Sequence, residues 1–278
     1  MLASIVLLSL GGLRLGMDFT GGSFLQVSFE TVPETAKIVE SLNALSVSGA
    51  TVQQAGESAV NIRMSTIDNA TRAKILETFN TDFGQAEEQS FSSIGPTIGK
   101  ELKQRALGAI IFVLIAIVIY LAWAFRKVSS QRVSSWMFGL SAIVALFHDI
   151  LITTGLFAAL GYFSGIEVDA LFITALLTIL GFSVHDTIVV FDRVRENLLQ
   201  APQRPLEDTV KVSVAQTLVR SMNTSITVIL VLLAMLLFAP SALTYFLIAL
   251  LVGFVVGTYS SIFIASPLLV FMVKLRKG

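Results

Sequence analysis

The chain has 278 residues, of which 54% are hydrophobic, with a mean hydropathy of +0.80 and charges that cancel: 19 Lys and Arg against 19 Asp and Glu. Soluble domains are about 45–50% apolar, so the excess calls for membrane segments, and no polybasic surface points to nucleic acid. There are no cysteines and only two histidines, His148 and His185, which excludes disulfides, thiolate chemistry and a His-rich metal site.

In chain order, Leu2–Leu13 is apolar but only twelve residues long, short of the roughly 20 needed to cross a bilayer. It has neither the basic flank nor the small-residue cleavage site of a signal peptide. We read residues 1–15 as the outer part of a first transmembrane helix whose beginning is absent from this chain. Residues 16–104 then read as a separate α+β domain. Ser23–Glu30 alternates as a strand does, and Pro33-Glu34 opens a helical pattern with Ala36, Ile38, Val39, Leu42 and Leu45 apolar. Thr51–Gln54 and Ala59–Met64 read as strands joined by a tight turn at Gly56-Glu57. A second helix is expected over Ile67–Phe79, starting near Asp68, and a last strand over Glu87–Ile94. The βαββαβ order is that of a ferredoxin-like domain.

Residues 105–278 hold five apolar stretches of spanning length: Leu107–Phe125, Trp136–Leu160, Ala170–Phe191, Val214–Phe238 and Tyr245–Val273. The expected fold is therefore a membrane α-helical bundle of six spans, the first truncated, with an extracytoplasmic ferredoxin-like domain. Lys and Arg set the orientation. They gather at Arg126, Lys127 and Arg132, at Arg193, Arg195, Arg204 and Lys211, and at Lys274, Arg276 and Lys277, whereas Gly161–Val168 and Ala239–Leu243 have none. The first three segments are expected in the cytoplasm and the 16–104 domain outside.

A charge at bilayer depth costs several kcal/mol on insertion scales, of order 3, so it normally faces the bundle interior. Asp186 lies near the end of one span and Arg220 near the start of the next. Their midpoint in sequence, residue 203, falls in the Pro202–Pro205 turn, so an antiparallel hairpin sets them at similar depth, where they can pair. Burial of a lone carboxyl favours its neutral form and a nearby guanidinium favours the charged one, so a change in their separation makes a proton switch. The competing reading is a static ion pair or two side chains snorkelling to the headgroups. His148 and Asp149 sit in mid-span, as a secondary relay or as a hydrogen-bonded pair that orients helices. His185 either tunes Asp186 or packs at the interface. Ser183, Thr187, Asn223, Thr224 and Thr227 either hydrate a path or hold helices together. Gly253 and Gly257 form a GxxxG that permits close helix approach, and the Gly21-Gly22 pair reads as a turn into the sheet. No GxxxxGK[ST] phosphate loop occurs.

Six stretches carry a family likeness: GMDFTGG at Gly16–Gly22, SIGPTIGKEL at Ser93–Leu102, FHD at Phe147–Asp149, GFSVHDTIVVFDRVREN at Gly181–Asn197, SVAQTLVRSMNTS at Ser213–Ser225 and VGTYSSIFIASP at Val256–Pro267. Together and in order they resemble SecF, the smaller partner of SecD in bacterial preprotein export and a relative of the resistance-nodulation-division pumps. The first span is shorter than the family's, and His185 stands where relatives usually have Asn. The resemblance implies a non-enzymatic accessory subunit of the cytoplasmic membrane that works with SecD and the SecYEG channel on unfolded preprotein. It further implies protons as the coupling ion, with no cofactor or metal, and casts Asp186 and Arg220 as the family's functional pair. The alternatives are a small-molecule efflux unit, for which an outer domain of about eighty residues is too small beside the large insertions of related pumps, and a scaffold that needs no titrating pair.

Overall fold

The computed structural model describes residues 1–56, 58–125 and 133–277. Glu57 of the expected turn and the basic segment Arg126–Arg132 lie outside the described residues. In chain order the elements are α1 (Leu2–Leu10), α2 (Met17–Thr20), β1 (Gly22–Phe29), α3 (Thr35–Ala44), β2 (Thr51–Ala55), β3 (Ala59–Met64), α4 (Asn69–Phe83), β4 (Ala86–Ile94), α5 (Pro96–Ala124), α6 (Ser135–Ser164), α7 (Ala170–Gln200), α8 (Leu206–Phe238), α9 (Thr244–Ser260) and α10 (Ser266–Lys277). A π-helical turn, Ser261–Ala265, joins the last two. The chain divides into two units, Leu15–Leu107 and the remainder, Met1–Arg14 with Gly108–Gly278.

In the smaller unit the strands form one antiparallel sheet in the order β2-β3-β1-β4. Alternation decides its core. Leu25, Val27 and Phe29 of β1 lie beside Val60, Ile62 and Met64 of β3, and all are buried with Ile38 and Leu42 of α3 and Ile75 and Phe79 of α4. Each such fully buried apolar side chain contributes about 1.5–3 kcal/mol. Asp68 caps α4 by accepting the Thr71 N–H at 2.9 Å, and the Thr71 bonds hold its carboxyl below the usual carboxylate range. Two motifs of the sequence meet here. Gly21 has φ +77°, and a Cβ on it would stand 2.8 Å from the Pro96 Cα, while one on Gly99 would stand 2.8 Å from the Gly21 N. GMDFTGG and SIGPTIGKEL are thus the two sides of one close backbone contact, which explains their glycines.

Among the described residues, five helices are long and apolar enough to cross a membrane; α9, the π turn and α10 together make the fifth. Most are longer than their apolar stretches, because hydropathy marks the lipid-facing part and the helix continues into polar residues. The growth is clearest where α7 runs to Gln200 and α8 begins at Leu206. Phe125, Phe138 and Phe191 form an aromatic cluster, with centroids 5.2–6.0 Å apart, that ties the end of α5 to α6 and α7. The remainder of α5 exposes Phe112, Ile115, Ile119 and Trp123, an apolar face of the kind lipid covers. α1 packs on α6, where a Cβ on Gly155 would run into Ser4. The GxxxG works inside the chain: Gly253 leaves room for Ile179 of α7, and a Cβ on Gly257 would come within 3.3 Å of Ser183.

Candidate functional site

Among the described residues, the bundle interior holds two carboxylates. Asp149 of α6 is 1% exposed. Its Oδ2 accepts the Ser183 hydroxyl of α7 at 2.5 Å and the Ser260 hydroxyl of α9 at 2.8 Å. His148 Nδ1 lies 3.0 Å from its Oδ1, as a hydrogen bond with the ring N–H donating. Three helices are therefore fastened to one carboxylate, and both of its oxygens are satisfied. That is how a buried acid is accommodated in an apolar interior.

Asp186 of α7 is 5% exposed, and its Oδ1 accepts the Ser221 hydroxyl of α8 at 2.6 Å. Its Oδ2 is buried and has no hydrogen-bond partner among the described residues. Ser183 lies three residues earlier on the same helix, on the same face, so the two carboxylates are about one turn apart along α7. On the same helices further hydroxyls interlock: Thr187 with Ser261 at 2.9 Å, and Ser225 with Thr258 at 2.6 Å. The π turn begins at Ser261, so Ser260 reaches α6 while Ser261 reaches α7. Widened turns of this kind recur at functional sites.

The hairpin of α7 and α8 sets depth as expected but not facing. Asp186 meets Ser221, Arg193 Nε donates to Gln216 at 2.7 Å, and Asn197 donates to Ser213 at 2.8 Å. No ion pair joins Asp186 to Arg220 among the described residues. Arg220 is exposed and lines a polar groove of about 410 Å³ with Val189, Asp192, Arg193, Glu196, Gln216 and Thr217. The reason is helical geometry: adjacent residues point 100° apart, and the inward position belongs to Ser221. His185 is exposed, and Asn223, Thr224 and Thr227 face outward with Arg220; Ser183 and Thr187 are in the buried network. No group of three or more His, Cys, Asp or Glu able to hold a metal occurs among the described residues.

The residues that reading the sequence missed are the donors, Ser221 and Ser260. A signal was there. Ser213, Thr217, Ser221 and Ser225 recur every fourth residue on α8 and are all buried, a hydroxyl stripe along one helix face.

A separate α/β unit together in one chain with a helix bundle that buries two carboxylates among serines defines a multi-pass membrane protein of the kind that keeps ionisable groups inside its helices. The C-terminal profile of the SecD/SecF protein export membrane proteins matches residues 74–275, and the chain belongs to that family, on its SecF branch. The protein translocase subunit SecF of Thermobaculum terrenum is 45% identical over 95% of this chain and 86% of its own. The translocase subunit SecDF of Bacillus subtilis is 34% identical over 96% of this chain and 35% of its own. The crystal structure of SecDF, a translocon-associated membrane protein of Thermus thermophilus, superposes with a TM-score of 0.83 at 32% identity, over 98% of this chain and 36% of that one. In the last two the chain matches about a third of a longer protein.

Proposed function

We propose that this chain is a SecF-type accessory subunit of the Sec preprotein translocase, coupling proton flow through Asp186 and Arg220 to a late step of export. Its place is the bacterial cytoplasmic membrane, with the Leu15–Leu107 unit outside and the Arg193–Lys211 segment in the cytoplasm, as the Lys/Arg asymmetry indicates. The sheet order β2-β3-β1-β4 supports the ferredoxin-like reading of the outer unit. The Leu2–Leu10 helix, which packs on α6, supports the six-span reading.

A SecD-type partner is supported from two directions. The SecDF relatives carry a SecF-like third within a longer chain. On this chain, Arg220, Asn223, Thr224 and Thr227 form an outward stripe at i, i+3, i+4 and i+7 on α8, all exposed. Polar groups at that depth are costly against lipid, so the stripe calls for a protein half that covers it. SecYEG and unfolded preprotein complete the assembly.

The observation that carries the proton reading is the half-satisfied carboxylate. Asp186 has one oxygen bonded to Ser221 and the other without a hydrogen-bond partner among the described residues, and the only cation on the facing stretch of α8, Arg220, is the residue just before Ser221, a 100° step away. Movement of α8 or of the Arg220 side chain exchanges a hydroxyl for a guanidinium at Asp186, and that exchange governs its proton occupancy. Asp149, with both oxygens bonded, is better suited to orienting α6, α7 and α9 than to a relay. Asp186→Asn keeps size and removes titration. Export of a reporter preprotein under an imposed proton gradient is expected to lose its gradient-dependent part in this variant while a pull-down still recovers the assembled complex. Normal gradient-dependent export by the variant leaves only the scaffold reading.

A further inference from the structure

The last span is two helices joined by a π turn, and its two halves are held in different ways. The outer half, α9, is fixed to its neighbours by directional polar bonds and close approach. Ser260 donates to Asp149 of α6 at 2.8 Å, Thr258 meets Ser225 of α8 at 2.6 Å, and Gly253 and Gly257 seat Ile179 and Ser183 of α7. The inner half, α10, packs on α6 and α8 with Leu269 and Val273 buried. Among the described residues it has two polar ties to other helices: Ser141 of α6 donates to the Met272 sulfur at 3.4 Å, and Lys274 pairs with Glu207 of α8 at the exposed end. A thioether is a weak acceptor, an exposed ion pair is worth little, and apolar contact has no preferred direction. The outer half is therefore anchored where the inner half is able to slide.

The joint between them is a place where helices bend. Pro267, the second residue of α10, has no N–H to give, and its ring excludes the carbonyl of Phe263 four residues earlier. The π turn Ser261–Ala265 stands directly before it, braced by the Ser266 hydroxyl, which donates to the Ser261 carbonyl at 3.1 Å. Prolines and π turns are the two commonest causes of a sharp kink. The joint also lies level with Asp186, because Ser261 bonds Thr187, the next residue of α7, at 2.9 Å. A shift of α7 at Asp186 thus reaches the π turn through one hydrogen bond. The ionisable groups around Asp186 are His148 and Asp149 of α6, bonded to each other, His185 of α7 and Arg220 of α8, both exposed. α9 carries no Asp, Glu, His, Lys or Arg, and those of α10 are at its far end in sequence, from Lys274 on.

We propose that α10 is a hinged flap, which turns about the π turn and Pro267 when Asp186 changes its proton, with Lys274 and Glu207 as the latch that holds it on α8. The inference rests on the proton reading of Asp186 and adds which part of the chain moves.

The chain has no cysteine, so engineered pairs report cleanly. The double variant Ser141→Cys, Met272→Cys, assembled with the SecD-type partner in vesicles, would be bridged by a short bifunctional thiosulfonate, which clamps α10 to α6. The unbridged pair is expected to transport a reporter preprotein with a gradient-dependent part, the bridged pair to lose most of that part, and reduction to restore it. Full gradient-dependent transport by the bridged pair overturns the hinge. A second measurement needs no transport. Spin labels on Leu199→Cys of α7 and Leu275→Cys of α10, both exposed positions, are expected to change their separation when Asp186→Asn is added. Labels on Leu230→Cys and Val255→Cys, in the outer halves of α8 and α9, are expected to keep theirs. An unchanged separation between positions 199 and 275 overturns the hinge, and leaves the Asp186 reading standing if Asp186→Asn has lost gradient-dependent transport. Normal gradient-dependent transport by Asp186→Asn removes the reading on which the hinge depends, whatever the spin labels show.

Discussion

Asp149 and Asp186 lie in one bundle, at levels about one turn apart along α7, and both are almost fully buried, yet among the described residues the first has three side-chain hydrogen-bond partners and the second has one. Burial alone does not make a carboxylate functional. A fully bonded acid is a fastener between helices, and moving its proton means breaking bonds to Ser183, Ser260 and His148. A half-bonded acid with an exposed cation one residue from its donor can change state without dismantling the bundle.

The largest effect expected from this contrast is on stability. Asp149→Ala strips the acceptor from two hydroxyls and an imidazole at once, and at membrane values for such bonds, with the buried donors left unpaired, the loss is about 2–4 kcal/mol. Unfolding of the assembled complex in a detergent titration measures it, and equal losses for Asp149→Ala and Asp186→Ala would erase the distinction. A smaller effect sharpens it. Ser260→Ala removes one of three bonds to Asp149 and is expected to cost about 1 kcal/mol, with export retained. Ser221→Ala removes the hydroxyl bond to Asp186, costs no more in stability, and is expected to alter the pH dependence of gradient-driven export. Matching export profiles for the two serine variants would count against separate roles.

Much of this was legible in the sequence. Apolar length found the five spans because lipid demands it, and period-two alternation found β1 and β3 because one sheet face is buried. The midpoint of the 186–220 interval predicted the depth of the hairpin, since antiparallel helices joined by a short turn must count equally from it. What it did not predict is which face turns inward. That depends on the whole stripe, and Ser213, Thr217, Ser221 and Ser225 form a continuous inward row whereas Arg220 stands alone between two of its members. The joint hold of Ser183 and Ser260 on Asp149 was hidden for a different reason. Ser183 and Ser260 are 77 residues apart, and the contact depends on the close approach at Gly257 and on the π turn after Ser260, a helix irregularity that no simple period announces.

The central claim is that one of these acids titrates and the other does not, and infrared difference spectroscopy of the assembled complex between two pH values reads it directly. A carboxyl C=O stretch at the high frequency of a buried acid is expected to change with pH in the wild-type chain, to vanish in Asp186→Asn, and to persist in Asp149→Asn. A band that survives Asp186→Asn, or that disappears only in Asp149→Asn, would contradict the assignment of the fastener and the switch.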